Sequence, residues 1–275
     1  MKMRMGIIIH PNPDLDACVC AALSGVSAEE VHFLPAGEVK LPVICSCCNR
    51  KLTGQERILD HPLGEKGRLD TDGTRHAAAC SMSEAQMADP LLLDEVDEQD
   101  STGTVLNPRF SLASILAAVR TEASERGLRG TNLDREVVRV MSRIITGLNI
   151  LNAKRQEADI TINGGVRIVE IGSFKFAILP EGNTSPQMGI VLNQKYGVTG
   201  HIYAQQNNVG VTRYPGRNEP DLTKLKSFIP GWFIHTAGFL ACWGSRKSPT
   251  KSLPPKGTPQ NQEDLLALMR EVFEK

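Results

Sequence analysis

Short apolar runs separated by turns fill the first part of the chain. Gly6 to His10 reads as a buried strand, and Leu15 to Leu23, rich in Ala and Cys, as the helix behind it. Glu30-Val31-His32-Phe33-Leu34-Pro35 is a second strand candidate; Leu41-Pro42-Val43-Ile44-Cys45 and Arg57-Ile58-Leu59-Asp60 are a third and a fourth. That spacing predicts an α/β domain with a mostly parallel sheet and helices on both faces. In open sheets of this kind the chemistry sits at the carboxyl ends of the strands, so polar residues just after these strands carry the most weight.

From Ser111 to about Ala158 the pattern turns helical, with a Gly-containing break at 127 to 130. A helix then runs from Asp134 through Val137, Val138, Met141, Ile144, Ile145 and Leu148, an i, i+3/i+4 series with a buried apolar face. After Asp159 the period changes. Ile160-Thr161-Ile162, a Gly164-Gly165 turn, Val166 to Ile171 and Phe174 to Leu179 read as consecutive antiparallel strands. Val209 to Tyr214 continues the β character, and Gln262 to Lys275 reads as an amphipathic helix. The expected division is therefore an α/β domain over 1–155 and a smaller α+β domain over 156–275. The one linker-like tract is Ser245 to Gln262.

Composition narrows the class. The 275 residues are about 1.8 times a typical domain length, and 41% hydrophobic with 23% charged residues is an ordinary globular balance. Disorder, collagen and membrane spans are excluded as the main theme, since no run approaches the roughly 18 apolar residues a span needs. Thirty-one Lys plus Arg against thirty-one Asp plus Glu leave no net charge, unlike the basic excess of dedicated nucleic-acid binders. Seven cysteines, an odd number, and an apolar N-terminal stretch too short for a signal peptide predict reduced thiols and a cytoplasmic location.

The segment Ile9-His10-Pro11-Asn12-Pro13-Asp14-Leu15-Asp16-Ala17 lies where the first strand ends and a helix begins. A His and two Asp at i, i+4 and i+6 on a two-proline turn can aim an imidazole and two carboxylates at one point. That mixed nitrogen and oxygen set suits Mn²⁺, with Mg²⁺, Zn²⁺ or Fe²⁺ compatible. The plainer alternative is an Asp that caps the helix beside an exposed His10. Capping accounts for one carboxylate only.

The pattern His-x-Asn-Pro-Asp-x-Asp resembles the first motif of the DHH phosphoesterase superfamily, matching at His10, Asn12, Pro13, Asp14 and Asp16. That family includes family II inorganic pyrophosphatases, RecJ-type exonucleases and nanoRNA or cyclic-dinucleotide phosphodiesterases. The resemblance implies a metal-dependent phosphoesterase in which His10, Asp14 and Asp16 help to hold two Mn²⁺ ions. The family's Asp-His-His motif is matched by Asp60 and His61, which the resemblance makes metal ligands, but the second histidine is Pro62. That histidine binds or polarises phosphate in the family, a role left here to His61 and His76. No Asp lies between Asp16 and Asp60 to bridge two metals. Either Cys45 or Cys47 takes that position, or Asp60 is itself the bridging Asp and the strand at Val43 an insertion, with His76 or Asp70 in the later motif. The cysteines are otherwise a buried thiol cluster. The first register is preferred because it preserves the strand count. Leu92 to Ser101 resembles the acidic segment of the fourth motif, with Asp97 as the ligand candidate and Asp100 one turn on.

In the second half, Gly231-Trp232-Phe233-Ile234-His235-Thr236-Ala237-Gly238-Phe239 resembles a diverged Gly-Gly-Gly-His motif of the DHH-associated C-terminal domain, and Ser245-Arg246-Lys247 resembles a stretch of family II pyrophosphatases. His235, Arg246 and Lys247 are thereby implied to bind substrate. The expected substrate is a small phosphorylated compound or short oligonucleotide, with no membrane partner and a homodimer left open. The alternative is a catalytically degenerate DHH-fold protein acting as a nucleotide-binding or interaction module.

Overall fold

The computed structural model describes residues 6–35, 41–45, 49–53, 55–60, 77–82, 84–85, 88–102, 111–182, 186–216, 219–245 and 250–274. The chain divides into two compact units, Met1–Asn152 and Ala153–Lys275. Among the described residues no helix is long and apolar enough to cross a membrane.

The first unit is α/β. Its elements are β1 (Ile7–Ile9), α1 (Leu15–Ser24), β2 (Val31–Phe33), β3 (Val43–Ile44), β4 (Lys51–Leu52), β5 (Arg57–Ile58), α2 (Ala78–Ser81), α3 (Pro90–Thr102), α4 (Leu112–Glu125) and α5 (Gly130–Asn163). A parallel sheet has the order β2-β1-β5, with Ile7 opposite both Val31 and Arg57. Successive side chains of β1 point to opposite faces. Ile7 and Ile9 enter a core with Leu15, Val19, Phe33 and Met141, while Ile8 packs with Leu34, Cys45 and Leu52. Burial on both faces explains why this strand is three isoleucines with no polar alternation.

The strand expected at 41–45 does not join this sheet. Val43–Ile44 pairs antiparallel with β4 in a separate hairpin. Pro42 has no N–H to offer a ladder, and Cys45 and Leu52 turn into the Ile8 core. The third place in the parallel sheet goes to β5, and Asp60 follows it.

The helix α5, which begins in this unit, differs from expectation too. α5 runs on to Asn163 and takes in Ile160-Thr161-Ile162, which the sequence pattern presented as a strand. The helical period wins because Ala158 and Ile162, one turn apart, both enter a core with Leu192 and Val198, leaving Ile160 73% exposed. The division between the two units falls within this helix.

The second unit contains β6 (Arg167–Ile171), β7 (Phe174–Ile178), α6 (Pro186–Tyr196), β8 (Gly200–Gln205), β9 (Asn208–Arg213), β10 (Phe233–Ile234), β11 (Leu240–Trp243) and α7 (Gln262–Phe273). Its sheet has the order β10-β11-β9-β8-β7-β6. Neighbours are antiparallel except β7 and β8, which α6 separates in sequence, as a parallel crossover requires. Phe176, Ile202, Val211 and Ala241 pack against Leu265 and Met269 of α7, while Ala177 and Leu179 pack with Met188 and Leu192 of α6. The hairpin at 167–178 and the strand at 208–213 agree with the β pattern in the sequence, whereas β8, the partner of that strand, was not marked by it.

Candidate metal centre

β1 delivers His10 at its carboxyl end, and the turn Pro11-Asn12-Pro13 leads into α1. Asn12 has φ 54°, the left-handed region that Asn tolerates better than most residues. Asp14 is the N-cap of α1, its Oδ1 accepting from the Ala17 N–H at 2.9 Å. That bond leaves Oδ2 facing His10 Nε2 at 3.5 Å. β5 supplies the third group. The Leu59 N–H donates to the Ile8 carbonyl at 2.9 Å, and Asp60, with φ 43°, turns its Oδ2 to within 3.1 Å of His10 Nε2.

His10 Nδ1 lies 2.8 Å from the Pro11 carbonyl, so this nitrogen carries a proton and donates it. The neutral tautomer then presents a lone pair on Nε2 to the two carboxylates. One ligand atom each from His10, Asp14 and Asp60 lie within 4.8 Å of one another. With only protons to share, the Asp14 and Asp60 carboxylates push the His10 ring up to about 11 against the effect of burial. Burial raises Asp14, but the His10 bond and the Ala17 N–H outweigh it and hold this carboxyl below its ordinary value. A nitrogen lone pair between two carboxylate oxygens fits a divalent cation of the Mn²⁺ class.

Asp16 and Asp97 are placed differently. Asp16 is 4% exposed and accepts from the N–H groups of Ala78 at 2.6 Å and Ala79 at 2.8 Å, while Asp97 accepts from the Ala77 N–H at 3.0 Å. The two carboxylates thus converge on the start of α2, where helix N–H groups lack helical partners. Burial pushes Asp16 up to about 7, with the Asp60 charge adding and the Ala79 and Ala78 N–H groups opposing. Asp16 also borders a cleft of about 160 Å³ lined by Asp14, Leu15, Val96, Gln99 and Asp100. Of the carboxylates on α3, it is Asp100 that lines this cleft. Of the two cysteines offered for the bridging position, Cys47 lies outside the described residues. Cys45 is buried among Ile8, Leu34 and Leu52, and Asp60 holds the strand-end place.

In the second unit His235 follows β10 in the turn to β11. Its Nδ1 accepts from the Ala237 N–H at 3.1 Å, and its ring lies 4.0 Å from that of Phe239. Phe239 in turn lines a cavity of about 330 Å³ with Arg213, Tyr214, Pro215 and Glu219. Arg213 pairs with Glu219 and donates to the Ala237 carbonyl at 2.8 Å. Arg213 had no signal in the sequence beyond its place at the end of a strand. His61, His76, Arg246 and Lys247, with Cys47 and Asp70, lie outside the described residues.

No protein-family model matches the chain, and no curated protein matches it. Solved structures give distant likenesses. An uncharacterized protein from Helicobacter pylori G27 aligns at 12% identity over 98% of this chain and 99% of its own, with a TM-score of 0.28. The pGpG-specific phosphodiesterase PggH from Vibrio cholerae aligns at 14% identity over 97% and 98%, with a TM-score of 0.32. RecJ from Thermus thermophilus, solved with Mn²⁺, aligns at 16% identity over 96% of this chain and 52% of its own, with a TM-score of 0.29. At such scores these alignments do not establish a shared fold.

Proposed function

We propose that the chain is a metal-dependent phosphoesterase that hydrolyses a phosphoester or phosphoanhydride bond in a small phosphorylated compound or short oligonucleotide. The observation that carries this reading is the convergence of His10 Nε2 with the Asp14 and Asp60 carboxylates at the carboxyl end of a parallel sheet. A divalent cation held there, Mn²⁺ by its donor set, supplies Lewis acidity toward phosphoryl oxygen and lowers the pKa of water. The chain's own part is to fix the donors. Pro11 sets the His10 tautomer, Ala17 orients Asp14, and the left-handed backbone at Asp60 turns its carboxylate to the ring. Zero net charge favours a small substrate over a long duplex, whose binding depends on many cationic contacts.

The test is purified protein with Mn²⁺, offered a chromogenic phosphodiester, short oligonucleotides and pyrophosphate. Hydrolysis of one of these is expected, and Asp14→Asn and Asp60→Asn should each lower both bound metal and rate at least about a hundredfold. No hydrolysis of any of them, with metal content unchanged in Asp14→Asn, overturns the reading. A second reading, a nucleotide-binding or interaction module without catalysis, is favoured by Pro62 at the place of the second histidine in the resembled motif. Two ions per chain support catalysis; one or none supports the binding module.

A further inference from the structure

The turn that carries Asp14 is secured from a distant helix. Pro11 and Pro13 have no N–H to bond, and Asn12 between them is in the left-handed region. What this turn offers is carbonyls, and two of them take side-chain donors. Pro11 receives His10 Nδ1 at 2.8 Å, and Pro13 receives Arg120 Nη2 at 2.6 Å from α4, across 107 residues of sequence. Pro13 directly precedes Asp14.

Arg120 is partly buried, its Nε makes no hydrogen bond, and it has no ion pair among the described residues. Burying a guanidinium without a carboxylate is costly. The charge-assisted bond to Pro13 is its one described hydrogen bond, and that bond fixes the backbone from which Asp14 reaches His10. We propose that Arg120 is a positioning residue of the His10, Asp14 and Asp60 centre, holding the 11–13 turn in the geometry that binds a divalent cation. This rests on the reading of those three residues as a cation site.

Charge and position make opposite predictions, which is what makes the idea testable. A positive group beside a cation site repels the cation, so an Arg120 that acts through its field alone weakens binding, and its removal tightens it. An Arg120 that acts by position strengthens binding, and its removal weakens it. Mn²⁺ uptake by the full chain is read from the electron paramagnetic resonance signal of the free ion, with no substrate present. Arg120→Met should weaken uptake about tenfold to a hundredfold, the range for groups that orient metal ligands. Arg120→Lys keeps a donor and should fall between Met and wild type. Unchanged or tighter uptake in Arg120→Met overturns the proposal, as does Arg120→Lys no better than Met. Should Arg120→Met fail to fold, Arg120→Lys against wild type decides: weaker uptake supports the role, and equal or tighter uptake overturns it. Wild-type protein that takes up no Mn²⁺ overturns the phosphoesterase reading itself, whereas wild-type uptake with an indifferent Arg120→Met overturns the positioning role alone.

Discussion

A histidine whose Nδ1 is tied to the next residue's carbonyl has one nitrogen left for chemistry, and at position 10 that nitrogen faces two carboxylates. His10 and Asp14 were legible in the sequence because their partners are close along the chain and a turn brings them together. Asp60 was legible as a polar residue at a strand end. The tasks of Asp16 and Asp97 were not, because they depend on where α2 starts, 62 residues from Asp16 and 20 from Asp97. His201 also escaped notice. It sits in β8 with Nδ1 2.5 Å from the Tyr214 hydroxyl, and burial lowers it from 6.5 to about 4. The folded state therefore prefers the neutral ring. Its stabilisation is complete above the unfolded value near 6.5 and is lost as pH falls through the folded value near 4. On the order of 2–3 kcal/mol is at stake. Urea midpoints at pH 7 and pH 4 should show that loss in the wild type and a smaller one in His201→Gln; equal losses would remove His201 as the cause.

Elements were legible where one period dominated. The first strand and helix, the hairpin at 167–178 and the C-terminal helix follow their hydrophobic patterns. Ile160-Thr161-Ile162 did not, because three residues fit a period of two as well as one of 3.6, and the decision came from the buried partners of Ala158 and Ile162. Val43-Ile44 had strand residues but no place in the parallel sheet, which depends on pairing across the chain rather than on local pattern. Two glycines show how differently elements constrain a small residue. Gly25 ends α1 at φ 64° with open space around a would-be Cβ, so Gly25→Ala costs only the left-handed penalty, about 1 kcal/mol. Gly200 begins β8 against the Thr212 carbonyl and the Phe176 ring, which a Cβ would meet. Gly200→Ala should cost about 1–3 kcal/mol or more through crowding. Urea unfolding should rank the two in that order, and a larger loss at Gly25 would contradict it.

At the scale of the whole molecule, composition excluded classes without choosing one. Thirty-one charges of each sign sum to nothing, yet Asp14, Asp16 and Asp100 share one cleft and Asp60 stands beside Asp14 across His10. A balanced total is compatible with carboxylates gathered locally in one cleft. The fold class was readable from the alternation of elements, whereas Arg120 was not, since nothing local marks a donor for a carbonyl 107 residues away. The order β2-β1-β5 carries a last consequence, for the sequence of events in folding. β1 meets β2 after one helix, but β5 must return from the β3 and β4 excursion, and His10 and Asp60 are 50 residues apart. Parallel pairings of long separation form late, so the cluster of His10, Asp14 and Asp60 closes only when β5 docks. A cation that binds the docked state alone drains the undocked one. Amide exchange at Arg57 and Leu59, which donate to Gly6 and Ile8, should slow when Mn²⁺ is added, while exchange within β8 and β9 stays as it was. Exchange at 57 and 59 indifferent to Mn²⁺ would mean that β5 is locked in place before any ion arrives.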